Sequence, residues 1–180
     1  DPDGVQTYKS GCPSGGTVDL LIEPYQHAPR LVIFGESPIA EALAAHAGLT
    51  GLRVCVSGAF EGVKATRFAP EEIDGLGIEP RDFVVVASQG KGDGVALKAA
   101  LDTSARRVSM VASRRKAEAL SAKLVAAGLD PARAARLKSP AGLDIHAIDP
   151  HEIALSILAE IVLWRNTDTA KETAHDEKMA

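Results

Sequence analysis

Two unbroken apolar runs, Leu31-Val32-Ile33-Phe34 and Phe83-Val84-Val85-Val86-Ala87, constrain the fold of this chain more than any other feature. A strand with one wet face alternates apolar and polar residues. A run without alternation fits a strand covered on both faces, as in a parallel sheet between helix layers. Gly35 ends the first run. Pro38 then suits a helix first turn, and an Ala-rich amphipathic stretch over 39–47 closes at Gly48 and Gly51. The second run opens into Gln89-Gly90-Lys91-Gly92-Asp93-Gly94 and then a helix over 95–101.

The same alternation continues along the chain. Further strands are predicted over 52–56 and 107–112. A helix over 114–127 is capped by Ser113 and stopped by Gly128. A short helix over 131–137 and a short strand over 143–148 follow. The helix over 150–164 gathers Ile153, Ile157, Leu158 and Ile161 on one face, which is better suited to packing on the sheet than to a dimer contact at Trp164. Residues 60–77 are poorly patterned apart from a short helix over 70–76. Strand–helix alternation requires right-handed crossovers and a parallel sheet. The expected fold is α/β, a Rossmann-like doubly wound sheet in three αβα layers over 31–165. Before it lies an irregular segment, 1–30, with one short strand over 17–23 that places Val18, Leu20 and Ile22 in alternation. Residues 166–180 are polar and expected to be disordered.

Composition narrows the classes. The 180 residues suit one domain. Aromatics are only 4%, so the core must be aliphatic. The net charge of −4 and the lack of a basic stripe argue against a dedicated nucleic-acid binder. No apolar stretch is long enough to span a membrane. Cys12 and Cys55 stand at unrelated positions, which fits a reducing compartment and a cytoplasmic protein better than a disulfide framework. The five histidines are scattered, with no metal-binding spacing. Asp144 and Glu152 lie near a crevice edge without marking an acid/base pair.

In open parallel sheets, ligands bind beyond the carboxyl ends of the strands, where the strand order reverses. Three loops there precede helix N-termini, whose unpaired N–H groups and positive dipole end favour anions. The first carries Gly35, Glu36 and Ser37; it lacks the later glycines of the G-x-G-x-x-G fingerprint, although Ala40 can replace the third. The second carries Ser88, Gln89, Gly90 and Asp93. The third is Ser113-Arg114-Arg115-Lys116, whose guanidiniums can fork a phosphate. The second strand ends Val56-Ser57-Gly58-Ala59, with no acid for a ribose hydroxyl and no adjacent arginine for a 2′-phosphate. This weakens an NAD(P) reading. Cys12 sits among glycines and can be a reactive thiol, a soft-metal ligand or a bland linker cysteine.

Gly11-Cys12-Pro13-Ser14-Gly15-Gly16-Thr17-Val18, the turn within 31–40, Ser113-Arg114-Arg115-Lys116, Ser139-Pro140-Ala141-Gly142-Leu143-Asp144-Ile145 and the stretch 150–161 together resemble the XdhC/CoxI-type accessory proteins. The likeness covers about residues 11–165, and its last two motifs are specific in order and spacing. It implies a Rossmann-like domain, often preceded by a smaller module. It also implies an accessory factor for molybdenum hydroxylase maturation, a carrier more than an enzyme. Such proteins bind molybdenum cofactor (molybdopterin or its cytosine dinucleotide), help exchange an oxo ligand for sulfur with a cysteine desulfurase, and deliver the cofactor to the apo-hydroxylase. Carried onto this chain, the cofactor contacts would be Gly35, Glu36, Ser37, Ser88, Gln89, Gly90, Asp93, Ser113, Arg114, Arg115 and Asp144, with Cys12 touching molybdenum or sulfur. A homodimer is a further expectation. The chain starts near the end of the preceding module, as a cut fragment or a split form would. It departs from relatives at Glu36-Ser37-Pro38, Gly58 and Lys91. The alternatives are an NAD(P)-dependent oxidoreductase and a ligand-free scaffold for the hydroxylase.

Overall fold

A computed structural model describes residues 27–90 and 92–179. Cys12 and the strand expected over 17–23 lie outside the described residues. The strands are β1 (Arg30–Phe34), β2 (Arg53–Val56), β3 (Thr66–Arg67), β4 (Phe83–Val86), β5 (Arg107–Met110) and β6 (Leu137–Lys138). The helices are α1 (Pro38–Ala47), α2 (Asp93–Asp102), α3 (Arg114–Ala126), α4 (Pro131–Ala134) and α5 (Pro150–Met179), with a 3-10 helix over Pro70–Leu76. The sheet runs β3-β2-β1-β4-β5-β6. Every pairing is parallel, with Val32 opposite Cys55 on one side and Val84 on the other. Order reverses between β1 and β4, as expected of a doubly wound dinucleotide-binding sheet.

The unbroken apolar runs are explained by two cores. Leu31, Ile33, Val54, Val56, Phe83 and Val85 face α1 and α5, where Leu43, Ala47, Ala154, Ile157, Leu158 and Ile161 complete one core. Val32, Phe34, Cys55, Val84, Val86, Val108 and Met110 face α2, α3 and the 3-10 helix. All four residues from Leu31 to Phe34 have no exposure. Burying each side chain contributes about 1.5–3 kcal/mol. Phe34 and Phe68 meet edge to face at 5.2 Å, one of the few aromatic contacts in an aliphatic interior. Burial pushes the Cys55 thiol up, despite the opposing pull of Arg30 and Arg53, so it is an inert core residue. No helix is long and apolar enough to cross a membrane among the described residues.

Four expectations are corrected. The helix over 131–137 stops at Ala134, and Leu137–Lys138 joins β5 as the sheet's last strand. Arg136 pulls the chain into that position by donating to the carbonyls of Leu101, Thr103 and Ala105 at the end of α2. No strand forms over 143–148. Gly142 and His146 take positive φ, and Leu143, Ile145 and Ile148 are exposed on a bent loop. The poorly patterned stretch 60–77 supplies β3, whose two residues add to β2. The tail expected to be disordered over 166–180 continues α5 to Met179. Ala170, Lys171, Glu172, Ala174, Glu177 and Lys178 are strong helix formers, and Asp168 is anchored by Arg107 at 2.9 Å. Trp164 packs against the α1–α5 core beneath the Arg107 guanidinium, 5.3 Å from its ring centre.

Candidate functional site

The crevice forms where the loops after β1 and β4 part. Gly35 follows β1 at φ +116°, a conformation that favours glycine. A Cβ there would lie 2.6 Å from the Ala87 carbonyl carbon and 2.7 Å from Ser88 Cα. The two diverging loops therefore touch backbone to backbone. Ser57, at the end of β2, accepts from the Gly35 N–H at 2.9 Å. Ser37 is buried and caps α1 by accepting from the Ala40 N–H at 3.1 Å. Pro38 has no N–H. Those of Glu36, Ser37 and Ile39 have no acceptor among the described residues. They lie at the dipole-positive start of a ten-residue helix. Glu36 itself is exposed beside them.

Gly58 is equally confined. A Cβ would lie 2.8 Å from the Gly35 carbonyl oxygen, 2.7 Å from the Phe60 ring and 3.1 Å from Glu36 Cγ. An acid at this position, the usual grip on a ribose hydroxyl, has no room.

The loop after β4 folds onto its own carboxylate. Asp93 is 4% exposed and opens α2. One oxygen accepts from the Ser88 hydroxyl and from the Gly90 N–H at 2.9 Å. The other meets the Lys116 ammonium. Gln89, Gly90 and Gly92 all take positive φ to make this bend. Asp93 thus occupies the nest that the glycine-rich sequence suggested for an incoming anion. Lys116, rather than either arginine before it, is the cation of the Ser113–Lys116 element that reaches this loop. Sequence reasoning passed over it. Its signal was spacing: Ser113 caps α3 and accepts from the Lys116 N–H, so Lys116 completes the first turn.

Burial pushes the Asp93 carboxyl up, but hydrogen bonds from Lys116, Ser88 and Gly90, with the attraction of the Lys116 charge, outweigh it and hold it below the usual carboxylate range. A carboxylate with a depressed folded pKa adds stability that is fully present above its unfolded pKa. That stability is lost as pH falls through the folded value. Asp93→Asn should therefore cost about 2 kcal/mol near neutrality, tempered by the half-exposed lysine. In urea titrations, the gap between variant and parent should narrow below about pH 4. A gap independent of pH would remove the ion pair from the account.

The other expected contacts spread outward. Arg114 lines an open groove of about 650 Å³ along α3, with Leu137 and Ser139. Arg115 is exposed. Among the described residues, Asp144 pairs with His146 on its own loop, at 3.7 Å, and both are exposed. The motif that carries Asp144 is nonetheless firmly placed. Glu160, 4% exposed in α5, accepts from the Gly142 N–H at 3.0 Å and pairs with Lys138.

Comparison with known proteins agrees with this architecture. The XdhC Rossmann domain model matches residues 31–161. The uncharacterized protein YqeB of Escherichia coli (strain K12) is 30% identical over 91% of this chain, which spans 32% of that relative. A crystal structure of a xanthine dehydrogenase from Bacillus halodurans superposes with a TM-score of 0.59 at 24% identity, over 75% of this chain and 42% of that one. The chain therefore spans less than half the length of either protein. The order of its strands, the Gly35 turn and the match over 31–161 lead to one statement of kinship: the chain belongs to the XdhC family, of which it carries the Rossmann domain.

Proposed function

We propose that this chain is an accessory factor in molybdenum hydroxylase maturation. It binds molybdenum cofactor in the β1–β4 crevice, assists sulfuration with a cysteine desulfurase, and releases the cofactor to the apo-hydroxylase. The family supports this reading. The observation that carries it is the first turn, where unbonded N–H groups of Glu36, Ser37 and Ile39 meet a helix start beside the close backbone approach at Gly35. Such donors suit a phosphate or pyrophosphate, the charged part of the cofactor in either form. The bound cofactor would supply the molybdenum centre. The chain's own residues would hold its phosphate by fixed backbone dipoles and exclude bulk at Gly35 and Gly58. Cys12 as a contact for molybdenum or sulfur belongs to the same proposal. Fixed backbone donors suit moderate affinity, which a carrier needs for release.

The test is anaerobic transfer of molybdenum cofactor from a donor protein, followed by fluorescence of the oxidised pterin that co-elutes. Stoichiometric retention is the expected result. A double Arg114→Ala/Arg115→Ala variant decides the reach of the site. Weakened retention with an intact fold keeps the arginines in it; unchanged retention confines it to the Gly35 turn. No retention by the folded chain would count against the carrier reading and favour a scaffold. An NAD-dependent oxidoreductase is disfavoured by Gly58, where no acid can stand.

A further inference from the structure

The crevice is charged unevenly. On its β4–β5 side, Asp93 fills the loop and Lys116 is paired with it. On its β2–β3 side stands Arg67, the last residue of β3. Arg67 is the parallel partner of Val56, so it leaves the same face of the sheet as Val56, the face covered by α1. Its Nη2 donates one long bond to the Phe60 carbonyl, at 3.3 Å. It is exposed, and no carboxylate pairs with it among the described residues. The Phe60 ring in turn packs at Gly58, and Gly58 abuts the Gly35 carbonyl. Contacts therefore run without a gap from Arg67 to the first turn.

In doubly wound sheets, the group at the end of the second strand reads the ribose: an acid holds a 2′-hydroxyl, an arginine a 2′-phosphate. Gly58 excludes the acid by sterics. β3 brings in a guanidinium from nine positions further along the chain, as Gly58 and Arg67 are numbered.

We propose that Arg67 receives a phosphomonoester of the crevice's ligand, and so selects ligands with a terminal phosphate over those with only hydroxyl groups there. This rests on the crevice being the ligand site. The guanidinium offers two parallel N–H donors to two phosphate oxygens, a geometry that lysine cannot reproduce. The phosphate comes either from the ribose 2′-position of an adenine nucleotide or from the terminus of a phosphorylated pterin, and the capture chemistry is the same.

The experiment is calorimetric titration with adenosine 2′,5′-bisphosphate and with 5′-AMP, beside retention of molybdopterin transferred from a donor. Each is run on the parent chain, R67A and R67K. Replacing Arg67 by Ala should weaken the bisphosphate or the pterin by about tenfold, with R67K between and 5′-AMP unchanged. A response in the nucleotide arm identifies a ribose phosphate; a response in the pterin arm alone identifies the cofactor's own phosphate. The proposal is overturned if R67A binds every probe as the parent does, or if no probe binds. Equal molybdopterin retention by parent and R67A, with no difference in the nucleotide arm either, overturns the role of Arg67 and leaves the carrier reading standing. Discrimination of the bisphosphate without any molybdopterin retention does the reverse.

Discussion

Gly35→Ala should lower the stability of the domain by about 3–5 kcal/mol, a large fraction of what a fold of this size has to lose. Two costs combine. Alanine at φ +116° is strained, and its methyl would press on the Ala87 carbonyl and Ser88 Cα, both backbone atoms of the neighbouring β4 loop. Neither can swing aside as a flexible side chain would. Gly51→Ala is the control. Gly51 also has positive φ, +72°, but a Cβ there meets nothing within 4 Å. It should cost only about 1 kcal/mol, for strain alone. Denaturant midpoints of the two variants separate strain from collision. Equal losses would mean that the β1 and β4 loops are not in firm contact at Gly35.

Glu160→Ala carries the second large effect. The carboxylate is buried, accepts from the Gly142 N–H and pairs with Lys138, whose ammonium also donates to the Gly142 carbonyl at 2.6 Å. Removing it strands a buried N–H and opens a void beside α5. Lys138 is partly exposed and can rehydrate, which tempers the cost to about 2–3 kcal/mol. Glu160→Gln keeps a carbonyl for Gly142 and should recover about half of the loss. Amide exchange at Gly142 should accelerate in the alanine variant more than at Val85, deep in β4. A melting curve within about 0.5 kcal/mol of the parent would show that the loop around Gly142 holds itself without α5.

The sheet was legible because burial on both faces leaves no freedom in composition: β1 and β4 could be read almost to the residue. The cap of α3 was legible for a local reason, as Ser113 bonds three residues ahead. Residues decided by distant partners were not. β3 has two residues and no pattern of its own, and it exists because β2 offers an open edge. Arg67 was therefore invisible as a neighbour of Val56 and Phe60. Asp93 was read as a ligand contact because glycine-rich loops often cradle anions; nothing local indicated that Lys116 would claim its carboxylate. Arg114 and Arg115 stood out by charge density, yet the turn of α3 sends Arg114 toward Leu137 and Ser139. The helix beyond Trp164 was missed because its sequence is polar, and polarity alone does not separate a solvated helix from a coil.

Among the described residues, both margins of the sheet are strands of two residues, β3 and β6. A long open margin is a template on which another chain can add a strand, and it invites aggregation. Here each margin presents hardly one repeat of the hydrogen-bonding ladder before the chain turns away. Growth by strand addition has almost no purchase. On these short margins strand addition is a poor route for docking, which leaves the helix surfaces and the loops at the strand ends as the more accessible faces of the described sheet.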